Sequence, residues 1–215
     1  MTSKTSTPLR LGLAALLVAT GLLSACAPLL IGGAAAGAMM ATDRRSAGAQ
    51  VDDQVIETKA GSALSTLLVE RAHVTATSYN RMVLLTGEVP TEADKAAAAK
   101  TVSQIETVRS IVNDVAVMPN SSLTTRSEDT VITGKVKAEF VGASDLSTNT
   151  IKVVTERGVV FLMGLVTETE AKRAVDLTRG VGGVQKVVRV FEIVTPADSA
   201  ARQPAAAASA PAARP

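Results

Sequence analysis

Val83-Leu-Leu-Thr-Gly-Glu-Val-Pro-Thr-Glu-Ala-Asp-Lys95 and Val160-Phe-Leu-Met-Gly-Leu-Val-Thr-Glu-Thr-Glu-Ala-Lys172 are two copies of one pattern. At a fixed offset of 77 residues, Val83/Val160, Leu85/Leu162, Gly87/Gly164, Val89/Val166 and Lys95/Lys172 coincide. Self-similarity at a fixed period marks a duplicated structural unit. Each copy reads as an apolar strand broken by one glycine. Acidic residues follow, where they suit the positive end of a helix dipole.

Working outward, both copies give the same order of elements. Upstream strands lie at His73–Tyr79 and Ile151–Thr155, each joined by a short polar turn to Met82–Val89 and Val159–Val166. Glu156-Arg157-Gly158 suits such a turn because glycine tolerates positive φ. Earlier still, Val51, Val55, Ala60, Ala63, Leu64, Leu67 and Leu68 recur at helical spacing, as do Ile132, Val136 and Phe140 in the second copy. Second helices begin near Thr91 and Glu168, and final strands run over Ser110–Val117 and Lys186–Val194. Gly180-Val-Gly-Gly183 lacks the lysine of a phosphate loop and precedes a strand, so it reads as a helix end and turn. The predicted class is α+β: two tandem α-β-β-α-β domains, each a three-stranded mixed sheet with two helices on one face. Gly87 and Gly164 are structural glycines, expected to lie where a helix crosses the strand closely.

The flanks have a different composition. Lys4 and Arg10 precede an apolar run, Leu11 to Leu22, that is too short to span a bilayer and suits a secretory leader. Leu23-Ser24-Ala25-Cys26 resembles the bacterial lipobox, and Cys26 is the only cysteine of the chain. Acylation there supplies several fatty chains, and stable anchoring needs more than one. Ala27 follows, instead of the Asp that retains enterobacterial lipoproteins in the inner membrane. The expected layout is leader 1–25, Ala/Gly-rich tether 26–49, first domain 50–119, linker 120–127, second domain 128–195, and a disordered Ala/Pro-rich tail 196–215.

Several function classes are excluded. A formal net charge of +2 and 2% aromatic content do not make a nucleic-acid binder. Mean hydropathy is +0.26, raised by the leader and the alanine-rich stretches. His73 is the only histidine and reads as a surface or edge residue, with no second His or free Cys to build a metal site or a catalytic triad. Nothing points to a cofactor or an enzyme.

The repeated strand–Gly–Val–helix–Val pattern resembles the BON family. The lipobox, the Ala/Gly-rich tether, Gln50-Val-Asp-Asp53 and the string Phe161-Leu-Met-Gly-Leu-Val-Thr167 resemble its dual-domain outer-membrane lipoproteins. The likeness runs from residue 26 to about 194. It implies a periplasm-facing, lipid-anchored protein whose second domain binds anionic phospholipid through its first helix. It also implies support of outer-membrane integrity and a link to the division site. On Glu128–Val141 this carries over to Val131, Lys135 and Lys137 as lipid contacts. The family pattern has a Trp where this chain has Val131, which leaves less amphipathic area at an interface. Gly134 weakens the same helix by about 1 kcal/mol relative to Ala. The resemblance also implies envelope or division proteins as partners, and the alternative reading is a protein-interaction scaffold for envelope assembly machinery. On the lipoprotein reading, labelled palmitate enters the parent chain, and Cys26→Ala leaves the protein unlabelled and released from membranes by a salt wash.

Overall fold

The computed structural model describes residues 43–69 and 72–202. The leader, Cys26, most of the tether and the tail beyond residue 202 lie outside them. The first domain comprises α1 (Ala47–Leu68), β1 (His73–Tyr79), β2 (Met82–Val89), α2 (Glu92–Ser103), β3 (Ser110–Asn113) and β4 (Ala116–Val117). The second comprises α3 (Leu123–Gly142), a 3-10 turn (Thr148–Thr150), β5 (Ile151–Glu156), β6 (Val159–Val166), α4 (Glu168–Arg179) and β7 (Lys186–Ile193). In each sheet the central strand, β2 or β6, pairs antiparallel with the preceding strand and parallel with the last. The sheets are therefore mixed, as the repeat predicts.

Each helix start carries its own sequence signal. Thr91, Ser122 and Thr167 accept a backbone N–H at the N-caps of α2, α3 and α4, and Thr167 with Glu170 completes a capping box. Ser122 starts α3 at Leu123, upstream of the expected boundary at 128. Ser46 likewise starts α1 at Ala47. Pro196–Ala201 forms a short helix, α5, where the tail was expected to begin; Thr195 caps it and Pro196 presets its first turn.

One face of each sheet is roofed by its two helices. In the first domain Ile56, Ala60, Leu64 and Leu68 of α1 meet Val83, Leu85 and Val89 of β2 and Ala98 and Val102 of α2. Ile132, Val136 and Phe140 do the same over Val160, Leu162 and Val166 in the second. The expected inner stripe of α1 is partly rotated: Val51, Val55 and Leu67 are exposed, and Ile56 and Asp53 are buried. Asp53 faces inward because it accepts from the backbone of the first hairpin's turn.

The opposite faces of the two sheets cover each other. Leu84 and Tyr79 of the first domain cluster with Phe161, Met163, Leu165 and Val190 of the second. This makes a helix–sheet–sheet–helix stack and explains why β2 and β6 are buried on both faces. The Tyr79 hydroxyl crosses the interface to donate to Thr150 O at 2.9 Å. Burial pushes its phenol up to about 12.

The expected continuous strand Ser110–Val117 is interrupted. Asn113 Oδ1 accepts from Val115 N, and Asp114 N donates to Leu85 O, so Val115 turns into the core. Both pieces still pair with β2.

The strand glycines have a different cause from the one expected. A Cβ on Gly87 would lie 1.9 Å from His73 O, and one on Gly164 would lie 2.4 Å from Thr150 O. The close neighbour is the paired strand β1 for Gly87 and the last residue of the 3-10 turn ahead of β5 for Gly164; in neither case is an α-helix among the nearest atoms. Gly87 also adopts φ 114, outside the range of L side chains.

Ahead of α1, Asp43, Arg44 and Arg45 form a short arm. Arg44 reaches into the second domain, donating to Leu165 O at 3.0 Å and to both Glu170 oxygens at 2.8 and 2.7 Å. The Arg44 guanidinium holds the Glu170 carboxyl down at about 2. Breaking such a buried pair from one side costs about 3 kcal/mol or more. Arg44→Gln and Glu170→Gln are each expected to lower the urea midpoint accordingly. The double variant should lose clearly less than the two losses added; full additivity would show that the pair does not act as a unit.

Candidate functional site

The first helix of each domain carries a buried aspartate, Asp53 or Asp129, that holds the turn of the following hairpin. Asp53 accepts from Asn80 N and Arg81 N, both at 2.7 Å, and from Ser78 Oγ at 2.6 Å. Asp129 accepts from Arg157 N and Gly158 N, both at 2.8 Å. Both turns place two residues at positive φ: Asn80 at 51 and Arg81 at 64, Arg157 at 49 and Gly158 at 70. Such two-residue turns match strand twist but strain non-glycine residues. A charge-assisted pair of N–H bonds offsets that strain. Reasoning from the strands alone misses both aspartates. They coincide at an offset of 76, as do Ile56 and Ile132, one residue out of phase with the strands.

Around this shared device the two domains differ. A groove of about 800 Å³ opens in the second, between α3, the Arg157-Gly158 turn and Gly182–Gln185. Thr124, Glu128, Val131 and Lys135 line its helical wall. In the first domain the residue matching Gly158 is Arg81, whose Nε donates to Asp52 at 2.7 Å and lays a side chain against the helix. Arg109 N→Arg81 O and Gln185 N→Gly158 O are the same bond in the two copies, which aligns Thr107 with Gly183. Both take positive φ, 71 and 102, so the backbone is shared and only the side chain is missing. The groove lies where the second copy has glycine at both places.

Of the residues the sequence singles out, Val131 and Lys135 line the groove together, one turn apart on α3, and Val131 is 55% exposed. Lys137 lies two residues past Lys135, about 200° round the helix, and faces elsewhere. Leu123, 78% exposed at the start of α3, adds an apolar side chain near this end that periodicity does not flag. Gly134 is accommodated inside α3, and a Cβ there meets nothing within 4 Å.

A second polar recess, of about 210 Å³, lies between the domains and is lined by His73, Thr86, Arg126, Asp129 and Glu156. Glu156 occupies the strand position that Tyr79 holds in the first domain, since each pairs with the first residue of the next strand. Burial, then the Glu88 charge, pushes its carboxyl up to about 7. Burial and Arg126 push His73 below its ordinary value. Among the described residues no group of three or more His, Cys, Asp or Glu is placed to hold a metal. No helix among them is long and apolar enough to cross a membrane.

The sign of the Glu156 effect follows from linkage. Its neutral form is favoured in the folded state, so the stabilisation is complete below about pH 4.5 and is lost as pH rises through about 7. The groups facing it are Glu88 on β2, Asp129 and Arg126 on α3, Arg157 on the turn and His73 on β1. His73 acts in the opposite sense, losing stability as pH falls below its ordinary value. Glu156→Gln is expected to remove a decline on the order of 2–3 kcal/mol between pH 5 and 8. Parallel stability–pH curves for the two proteins would contradict this assignment.

The comparisons with known proteins fit this architecture. The BON domain family model matches residues 52–119 and 128–195. The chain is 37% identical over 182 residues to the outer membrane lipoprotein DolP of Haemophilus influenzae, covering 84% of this chain and 94% of that one. It is 35% identical over 154 residues to a 21 kDa hemolysin of Actinobacillus pleuropneumoniae, covering 71% and 79%. It is 28% identical over 160 residues to the osmotically-inducible protein Y of Escherichia coli, covering 71% and 78%.

Proposed function

The chain belongs to the BON-domain family, and on that basis we propose that it is an outer-membrane lipoprotein, anchored through Cys26 and facing the periplasm, whose second domain binds anionic phospholipid in the α3 groove. Its role is to maintain outer-membrane integrity, including at the division site. In this reading the chain acts by binding.

The observation that carries the reading is the groove at the second hairpin turn. Two copies share the hairpin turn and the aspartate, but beside that turn the first copy lays Arg81 against its helix while the second opens a groove along α3. Lys135 supplies a charge for a phosphate. Thr124 supplies a hydroxyl in the first turn of a 20-residue helix, at its positive end. Val131 and Leu123 are exposed apolar groups suited to insertion between headgroups. The relative in Haemophilus influenzae, named as an outer membrane lipoprotein, supports the location.

The test uses the unlipidated mature chain and vesicles with or without phosphatidylglycerol. The chain is expected to prefer the anionic vesicles. Gly158→Gln fills the second domain's cleft with a long side chain that adds no cation. It keeps the positive φ that Arg81 already tolerates, and the Cβ would press only on the flexible Gln185 side chain. It should weaken vesicle binding about tenfold, roughly 1.4 kcal/mol, with little change in thermal midpoint. Equal binding to both vesicles, with envelope proteins copurifying instead, would favour the scaffold.

A further inference from the structure

On its face toward the second domain, β2 presents Leu84, Thr86 and Glu88. The matching positions of β6 are Phe161, Met163 and Leu165, at the same offset of 77 residues. A carboxylate thus stands where the other copy has leucine, and its side chain is fully buried, at 0% exposure. A buried charge persists only when it is paired and hydrogen-bonded. Glu88 Oε1 accepts from Arg157 Nη1 at 2.9 Å, and Oε2 accepts from Ser121 N and Ser121 Oγ, both at 3.2 Å.

Arg157 faces two ways. Its Nη1 also donates to Gly87 O at 3.1 Å, so one guanidinium nitrogen is shared between two neighbouring acceptors on β2. The same residue lines the groove of the second domain, and its side chain is 21% exposed. Asp129 fixes its backbone N–H, while Gly87 O and Glu88 hold its side chain through Nη1.

We propose that the first domain regulates the groove of the second by withholding a cation from it: Glu88 neutralises Arg157, and an anionic headgroup in the groove competes with Glu88 for that guanidinium. The inference rests on the reading of the groove as a phospholipid site. The Glu88–Arg157 pair then links two events. Headgroup binding loosens this end of the domain interface, and loosening the interface raises affinity for an anionic surface. The two effects are reciprocal because they share one ion pair.

The experiment compares the parent mature chain, Glu88→Gln, and Glu88→Gln with Arg157→Gln, on phosphatidylglycerol-containing and phosphatidylcholine vesicles. Glu88→Gln is expected to bind the anionic vesicles three- to tenfold more tightly than the parent and the neutral ones equally. The added Arg157→Gln should abolish the gain. A pair that merely joins the domains predicts a lower thermal midpoint and no gain in binding, and that result overturns the proposal. If the parent shows no preference for anionic vesicles, the groove reading fails, and this inference with it. If the parent shows the preference and Glu88→Gln adds nothing, only the inference fails. Should Glu88→Gln not fold, the parent alone decides by NMR. The Arg157 Nε–H signal is expected to move with the Val131 and Gly183 amides as anionic micelles are added. Movement of those amides with an unmoved Arg157 signal overturns the proposal.

Discussion

Everything in this molecule depends on two small sheets hiding their second faces from water against each other. A three-stranded sheet with helices on one side leaves an apolar face open, and a domain of about 70 residues has little surplus stability with which to tolerate it. Here Leu84 and Tyr79 lie against Phe161, Met163 and Leu165, so each domain completes the other. The polar contacts around this core are reciprocal. The first hairpin reaches Thr150 through Tyr79 and Glu192 through Asn80. The second hairpin reaches Gly87 and Glu88 through Arg157.

Duplication followed by divergence accounts for the rest. The helix aspartate, the left-handed hairpin turn and the strand glycine are common to both copies, and each meets a backbone requirement of the shared fold. Some differences repack the helix-roofed cores, as at Ala60 against Val136 and Leu64 against Phe140; others lie on side chains that face outward or across the interface. Arg81 against Gly158 closes one cleft and opens the other. Tyr79 against Glu156 makes one end of the interface neutral and the other titratable. Leu165 against Glu88 places a charge inside one face only.

The strand bounds of β2 and β6, the order of elements and the mixed sheets were legible in the sequence because apolar runs and turn residues report backbone geometry directly. The rotation of α1 was not. Its alanine-rich stripe is weakly amphipathic, and Asp53, which faces inward, is polar and buried, the reverse of the usual rule. The partner of each glycine was also out of reach, since a strand pattern does not say whether a helix or a neighbouring strand presses on it. Val131 and Lys135 were found from the resemblance, and the fold places them on one wall. Lys137 comes from the same resemblance, but at two residues past Lys135 it stands on another side of α3. The groove itself lies where Gly158 and Gly183 carry no side chain. Missing side chains become visible only when the two copies are aligned through their backbone bonds.

The arm at Asp43–Arg45 has a mechanical consequence. In chain order it belongs to the first domain, but Arg44 is clamped by Leu165 O and Glu170 of the second, and Arg45 by Asp53 and the Tyr79 ring of the first. A pull transmitted along the chain from its N-terminal side therefore meets both halves at once, at their seam. Tension there is divided between two clamps, so α1 is spared from being peeled away as a single strap.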